Sequence, residues 1–372
     1  MLAGNQRIFF AEHGYIALRL RELYEHAFEE LIDIETAAES YHDAPHPKRL
    51  LRIQAWSELK ESGERFDALW LQRVLLKMKC DEIAKPSKPG RMIADLGVSA
   101  SLQGFVITKL MKLAQDQCPF LYLGGEIEFC GSPARSCLQL VFDKLMQPAG
   151  KFYMCYFSDD SCLAFTHRGV TRRYNLDISK CDASHGPAVF DFLLSMTPTH
   201  LQHEMEKLIK QCKLPVLIRS VGGKEKIKGY FQDPTLFSGS TITTLINNVA
   251  NTMIGVAIAE TIDSLEDRDY TDLEICDLLT EAAEQAGYIL TGLAPDEICR
   301  IPEDLQFLKH SPARSGGRYI PLLNLGVFLR ASGTCRGDLP GSKNTTIEER
   351  ARQFQCALIR GTYPTTSFPP RS

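Results

Sequence analysis

Four aspartates set the chemistry available to this chain. Asp159 and Asp160 stand between two apolar runs, Tyr153-Met154-Cys155-Tyr156-Phe157 and Ser161-Cys162-Leu163-Ala164-Phe165, a pattern that predicts a β-hairpin with the acids at its tip. Asp177 and Asp182 belong to the next strand-like segment, from Tyr174 to Asp182. The stretch between, His167 to Arg173, is too short for a helical crossover, so the three strands should form an antiparallel meander. That arrangement brings Asp159, Asp160 and Asp177 into one small volume. Carboxylates crowded in this way repel one another, and a divalent cation is the usual reason such a site exists. Two Mg²⁺ ions held by Asp177 and Asp159 would activate a 3′-hydroxyl and stabilise a departing pyrophosphate, with Mn²⁺ as a substitute.

Two further segments supply groups that could handle a nucleotide. Lys85, Lys88 and Arg91 lie on an extended segment held open by Pro86, Pro89 and Gly90, where successive cations can reach a polyanion; a plain surface loop would read the same way. Ser238-Gly239 forms a small-residue loop that opens a helix expected to run to about Ile262, with Thr243 and Asn247 in its first turns. Ser238 is placed to cap that helix, and exposed amides there would favour an anion. The alternative is a capped core helix whose asparagines satisfy local carbonyls.

The rest of the chain must position these groups. At 372 residues and 44% hydrophobic content it can bury a full core with two or three subdomains. A formal net charge of −4 excludes a uniformly basic nucleic-acid coat but hides a local patch, in which Lys207, Lys210, Lys213, Arg219, Lys224, Lys226 and Lys228 fall close together. The twelve cysteines show no C-x-x-C pair and no disulfide framework, which predicts reduced, intracellular core residues. The N-terminus has no signal-peptide pattern, and the most apolar stretch, Ile242 to Ile262, carries Asn247, Asn248, Asn251 and Glu260, so no transmembrane segment is expected. Periodicity predicts a helical region over residues 10–80, broken at Asp43 to Pro47. It also predicts helices over 99–115, 134–146, 187–194, 201–212, 272–286 and 347–360. Strands are expected at 119–125, 214–221, 227–231, 288–291 and 305–308.

Taken together, these residues resemble the catalytic motifs of viral RNA-dependent RNA polymerases. The D-x4-D motif is matched by Asp177 and Asp182, S-G-x3-T-x3-N by Ser238, Gly239, Thr243 and Asn247, and G-D-D by Ser158, Asp159 and Asp160. The basic loop from Lys85 to Arg91 resembles the finger motif that contacts the incoming nucleotide, and Leu305 to His310 the strand that grips the primer. The order differs from the usual one, since the Asp-Asp hairpin precedes both other motifs; such a permuted palm is similar to that of birnaviruses and permutotetraviruses. Ser158 replaces the first glycine, and no lysine occurs between Thr271 and Leu308, leaving Arg300 or Lys309 in place of the family's proposed acid for pyrophosphate.

The resemblance implies an α+β right-hand fold with an antiparallel palm sheet packed on helices. Its fingers would comprise residues 1–148 with an insertion at 183–236, its palm 149–182 and 237–310, and its short thumb 311–372. It further implies that Asp177, Asp159 and Asp160 hold Mg²⁺ or Mn²⁺, and that Lys85, Lys88 and Arg91 hold the triphosphate. Asp182 and Asn247, supported by Ser238, Gly239 and Thr243, would read the ribose 2′-hydroxyl. The partners are then an RNA template, nascent RNA, nucleoside triphosphates and other viral or host replication proteins. The setting is the host cytoplasm or the virion. Two other readings compete: a reverse-transcriptase-like palm nucleotidyltransferase, against which the Asp182 and Asn247 pair argues, and a non-catalytic RNA-binding replication scaffold that retains a polymerase-like palm.

Overall fold

A computed structural model describes residues 2–27, 74–78, 92–96, 98–131, 134–219, 226–327 and 345–362, with 57, 61 and 329 besides. Lys85, Lys88 and Arg91, residues 220–225 and nearly all of 28–73 lie outside the described residues. Helices α1 (Leu2–Glu12) and α2 (Gly14–Ala27) come first, then strands β1 (Val74–Met78) and β2 (Met92–Asp95) and helix α3 (Val98–Gln117). Strands β3 (Phe120–Tyr122) and β4 (Gly125–Phe129) and helix α4 (Arg135–Met146) lead to β5 (Phe152–Phe157), β6 (Asp160–His167) and β7 (Val170–Ile178). Helices α5 (Cys181–Ser184), α6 (Pro187–Met196) and α7 (Gln202–Gln211) precede β8 (Val216–Arg219) and β9 (Lys226–Gly229). Helices α8 (Thr243–Asp263) and α9 (Asp272–Gln285), strands β10 (Leu290–Thr291), β11 (His310–Ser315) and β12 (Arg318–Leu323), and helix α10 (Ile347–Thr362) complete the order.

The expected meander is present: β5, β6 and β7 pair antiparallel, inside a six-stranded sheet of order β10-β7-β6-β5-β4-β3 in which only β4 and β5 run parallel. Both faces of its centre are covered. Phe152, Met154, Tyr156, Leu163, Phe165 and Tyr174 point to one core with α8, α6 and α9, whereas Tyr153, Cys155, Cys162 and Ala164 point to a second core with α4 and Phe307. Burial on both sides is why these strands read as continuous apolar runs instead of alternating ones. A second sheet, of order β2-β1-β8-β9, carries its own small apolar cluster. The architecture is thus mixed α+β with largely antiparallel sheets.

Two sequence expectations are corrected here. Val74 to Met78 was expected within the N-terminal helical region but is a strand, paired parallel to β8 and antiparallel to β2. Five apolar-rich residues satisfy either period, and the pairing partners decide between them. Leu305 to Leu308 was expected to be a strand, yet only Phe307 bridges, to His310. Leu308 and Lys309 both take positive φ and turn the chain into β11.

Helix α8 is the central pillar, buried at sixteen of its positions. Among the described residues it is the one helix long and apolar enough to cross a membrane, and 89% of its most apolar window is buried inside the protein. A Cβ on Gly255 would stand 2.9 Å from Ile127 Cδ1 and 3.1 Å from Met154 Sδ, so the helix lies close against the sheet. Gly292 is tighter still. It has φ +90°, and a Cβ there would meet the Asn175 carbonyl oxygen at 1.9 Å. Gly292→Ala should therefore cost roughly 3 kcal/mol or more, read as a lowered midpoint in urea denaturation; a midpoint equal to wild type would contradict this packing.

Candidate active site

The acidic hairpin closes through a two-residue turn, Ser158-Asp159, with Phe157 opposite Asp160. Ser158 has φ +56°, the left-handed region that glycine takes without strain. Three asparagines of α8 hold it there. The Ser158 N–H donates to Asn248 Oδ1 at 3.0 Å, Asn251 Nδ2 donates to the Ser158 carbonyl at 2.5 Å, and Asn247 Nδ2 donates to Ser158 Oγ at 3.1 Å. Every polar group of that residue is engaged by one buried helix face. The hairpin tip, which local preference would let relax, is fixed to the core.

Asp160 faces Asp177 directly across β6 and β7. Partial desolvation pushes the Asp160 carboxyl up, the charges of Asp159 and Asp177 push it further, and Lys309 opposes them. Asp177 is raised by desolvation and then by Asp159, against a hydrogen bond from the Ile178 N–H. The two acids are exposed and share one face, and both proton affinities are raised by desolvation first and then by neighbouring acid charge, that of Asp159 on each and that of Asp177 on Asp160. Among the described residues no group of three or more His, Cys, Asp or Glu side chains is assembled into a ready cage for an ion. The donor set nevertheless fits Mg²⁺ or Mn²⁺. It is all oxygen, it is crowded, and Mg²⁺ takes one or two carboxylates and completes its shell with water and substrate phosphate.

Beyond β7, Lys180 takes φ +52° and swings the chain into α5, which carries Asp182 back toward α8. Asn247, 1% exposed, donates through Nδ2 to Asp182 Oδ1 at 3.2 Å. Two residues separated by 65 positions, singled out on type and spacing, thus form one hydrogen-bonded pair. A cavity of about 460 Å³ brings together Asp159, Asp182, Lys180, Ser238 and Met92. Met92 opens the strand that follows the Lys85 to Arg91 segment. The Ser238 carbonyl accepts from Ala94 N at 2.8 Å, and Gly239, at φ +92°, packs beside the Ala94 carbonyl. The Ser-Gly loop is therefore the seam between the two sheets.

One expectation for that loop fails. Ser238 does not cap α8: the helix begins at Thr243 with Ile242 as its N-cap residue and no side-chain cap. The loop makes a turn at Ser240 first, and Thr243 Oγ1 closes it by donating to the Ser240 carbonyl at 2.8 Å. Of the two candidates to replace the missing lysine, Arg300 is paired with Asp272 at 2.7 Å, whereas the charge of Lys309 reaches Asp160. Lys180, Asn248, Asn251 and His185 were not singled out from the sequence as site residues. Three asparagines in five residues of an otherwise apolar helix were the available signal for the α8 face.

No protein-family model matches the sequence, and no curated protein matches it. Among solved structures the chain is similar to a chain of the birnavirus VP1-VP3 complex, with a TM-score of 0.51 and 12% identity over 84% of this chain and 50% of that one. It also matches the RNA-dependent RNA polymerase of a human picobirnavirus, with a TM-score of 0.47 and 12% identity over 78% of this chain and 52% of that one. The chain spans about half the length of these structures. Its class is therefore an α+β fold shared with the birnavirus complex.

Proposed function

We propose that this chain carries the catalytic centre of an RNA-dependent RNA polymerase with a permuted palm, the acidic hairpin preceding the Asp-x4-Asp strand and the Ser-Gly helix. The observation that carries the reading is the convergence of three distant segments. Asp160 faces Asp177, and Asp182 is hydrogen-bonded to Asn247 beside a cavity that Asp159 and Ser238 also line. The fold shared with the birnavirus complex agrees with it. In this reading residues 149–182 and 237–310 are palm, 1–148 and 183–236 fingers, and 311–372 a short thumb.

The reaction joins the 3′-hydroxyl oxygen of nascent RNA to the α-phosphorus of an incoming nucleoside triphosphate. The bond from that phosphorus to the β-bridging oxygen breaks, pyrophosphate leaves, and the proton of the 3′-hydroxyl is given up to solvent. Asp177 and Asp159, with Asp160 beside them, would hold Mg²⁺ or Mn²⁺. Bound there, the ions supply Lewis acidity for the attacking and leaving oxygens. Asp182 accepts from the ribose 2′-hydroxyl while Asn247 orients its carboxylate, so a deoxyribonucleotide leaves that acceptor unpaired. Lys85, Lys88 and Arg91 are assigned to the triphosphate, and Lys309 to the departing pyrophosphate. Partners are template and nascent RNA, nucleoside triphosphates and other replication proteins, in the host cytoplasm or the virion.

Incubation of the purified chain with single-stranded RNA, the four nucleoside triphosphates and Mg²⁺ or Mn²⁺ should yield product complementary to the template. A folded chain that binds RNA and makes no product on any template would mark it as a replication scaffold.

A further inference from the structure

Asn247 can read a sugar only if its amide is the right way round, and the two ends of an amide are equal in shape. The surroundings decide. Asp182 is a carboxylate and accepts only, so the Asn247 atom 3.2 Å from its Oδ1 must be the NH₂ group. The other end, Oδ1, lies 2.8 Å from His185 Nε2 and needs a donor there. His185 must then carry its proton on Nε2, which leaves Nδ1 as an acceptor, 3.3 Å from the Tyr288 hydroxyl. The remaining neighbour, Cys181 Sγ, is 3.8 Å from Nε2. Tyr288 is fully buried and His185 is 8% exposed, so water does not offer a substitute for the two bonds of the imidazole. Burial pulls the imidazole pKa down to about 4, so it is neutral near pH 7 and can hold one proton on one nitrogen.

We propose that His185 is the positioning residue of this site: donating from Nε2 to Asn247 Oδ1, with Tyr288 donating to Nδ1, it locks the Asn247 amide toward Asp182 and so sets the selection of ribonucleotides over deoxyribonucleotides. The inference rests on the polymerase reading and deepens it. His185 does not touch the substrate; it acts at one remove, holding the carbonyl end of an amide whose NH₂ end is held by Asp182 and Ser158. The same lock also serves the hairpin, since the Asn247 NH₂ group donates to Ser158 Oγ.

Two measurements on the full chain test the proposal. Nitrogen-15 NMR of the imidazole should find His185 as the neutral Nε2–H tautomer at neutral pH, and a neutral Nδ1–H tautomer or an imidazolium would overturn the assignment. Incorporation kinetics supply the second. In His185→Ala the ratio of kcat/KM for ATP over dATP should fall about tenfold, and His185→Gln, whose amide can donate to the same oxygen, should recover most of it. Thermal melting checks that each variant is folded. If His185→Ala unfolds, Tyr288→Phe decides, because it keeps the ring and frees the other tautomer; the ratio should fall several-fold. An unchanged ratio in folded variants of an active chain sinks the role of His185 alone. Absence of incorporation by the wild-type chain sinks the polymerase reading, and the inference with it.

Discussion

Asp177→Ala and Asp159→Ala should each lower nucleotide incorporation by about 10³-fold or more while leaving the chain folded. Both side chains are exposed, so neither substitution opens a cavity. What is lost is charge. Asp177 and Asp160 face each other, and desolvation together with the charge of Asp159 raises the proton affinity of both. The sign of the linked stability effect follows. A carboxylate whose folded pKa lies above its unfolded value costs stability as pH rises from the ordinary carboxylate range through the raised folded value, and the cost stays in place above that. Near neutral pH the folded chain bears that cost. Asp160→Asn, which keeps the shape and removes the charge, should therefore raise Tm in EDTA while abolishing activity. Mn²⁺ should raise the Tm of the wild-type chain and have little effect on Asp177→Ala. An Asp177→Ala variant that still incorporates nucleotides, or an Asp160→Asn variant that melts earlier in EDTA, would remove the acids from the centre of the mechanism.

Asn248→Leu and Asn251→Leu should be the next most damaging changes, and at positions that touch no substrate. Each asparagine is fully buried and holds one backbone group of Ser158. Leucine matches the volume but leaves the Ser158 N–H or carbonyl without a partner, a loss of about 1–3 kcal/mol each. A residue held at φ +56° would then relax, and Asp159 and Asp160, which follow it, would move. Misplacement of a reacting geometry by about 1 Å can cost 10²-fold, so incorporation should fall by that order. Amide exchange at residues 158–160 should quicken in step. Ser158→Gly separates the two contributions: glycine accepts the backbone angle and loses only the hydroxyl bond to Asn247, so activity should fall by less than tenfold. Full activity in the double variant Asn248→Leu, Asn251→Leu would show that the hairpin needs no clamp.

The acidic hairpin was legible because the information was local. Two apolar runs of strand length flank a pair of acids, and the seven residues before the next strand leave room for nothing but a return. Helix α9 was legible for the same reason, as Thr271 and Glu274 form a capping box within one turn. Val74 to Met78 was misjudged because its strand character comes from partners, one of them at Val216, on the far side of the central sheet in the chain. The failed cap at Ser238 has a similar origin. The loop answers to Ala94, far away in sequence, before it answers to the helix it precedes.

Residue type and spacing by themselves determined the acids, the Asp182 and Asn247 candidates and the α+β character, since strand and helix periods and the repulsion of like charges act within short stretches. Only the tertiary structure decided that Asn247, Asn248 and Asn251 grip Ser158, that His185 Nε2 meets Asn247 Oδ1, and that the charge of Lys309, with Arg300 paired to Asp272, acts on Asp160. Those relations join segments some 60 to 150 residues apart. The asparagine and histidine bonds depend on donor and acceptor directions among buried groups, and no local pattern in a sequence encodes such directions.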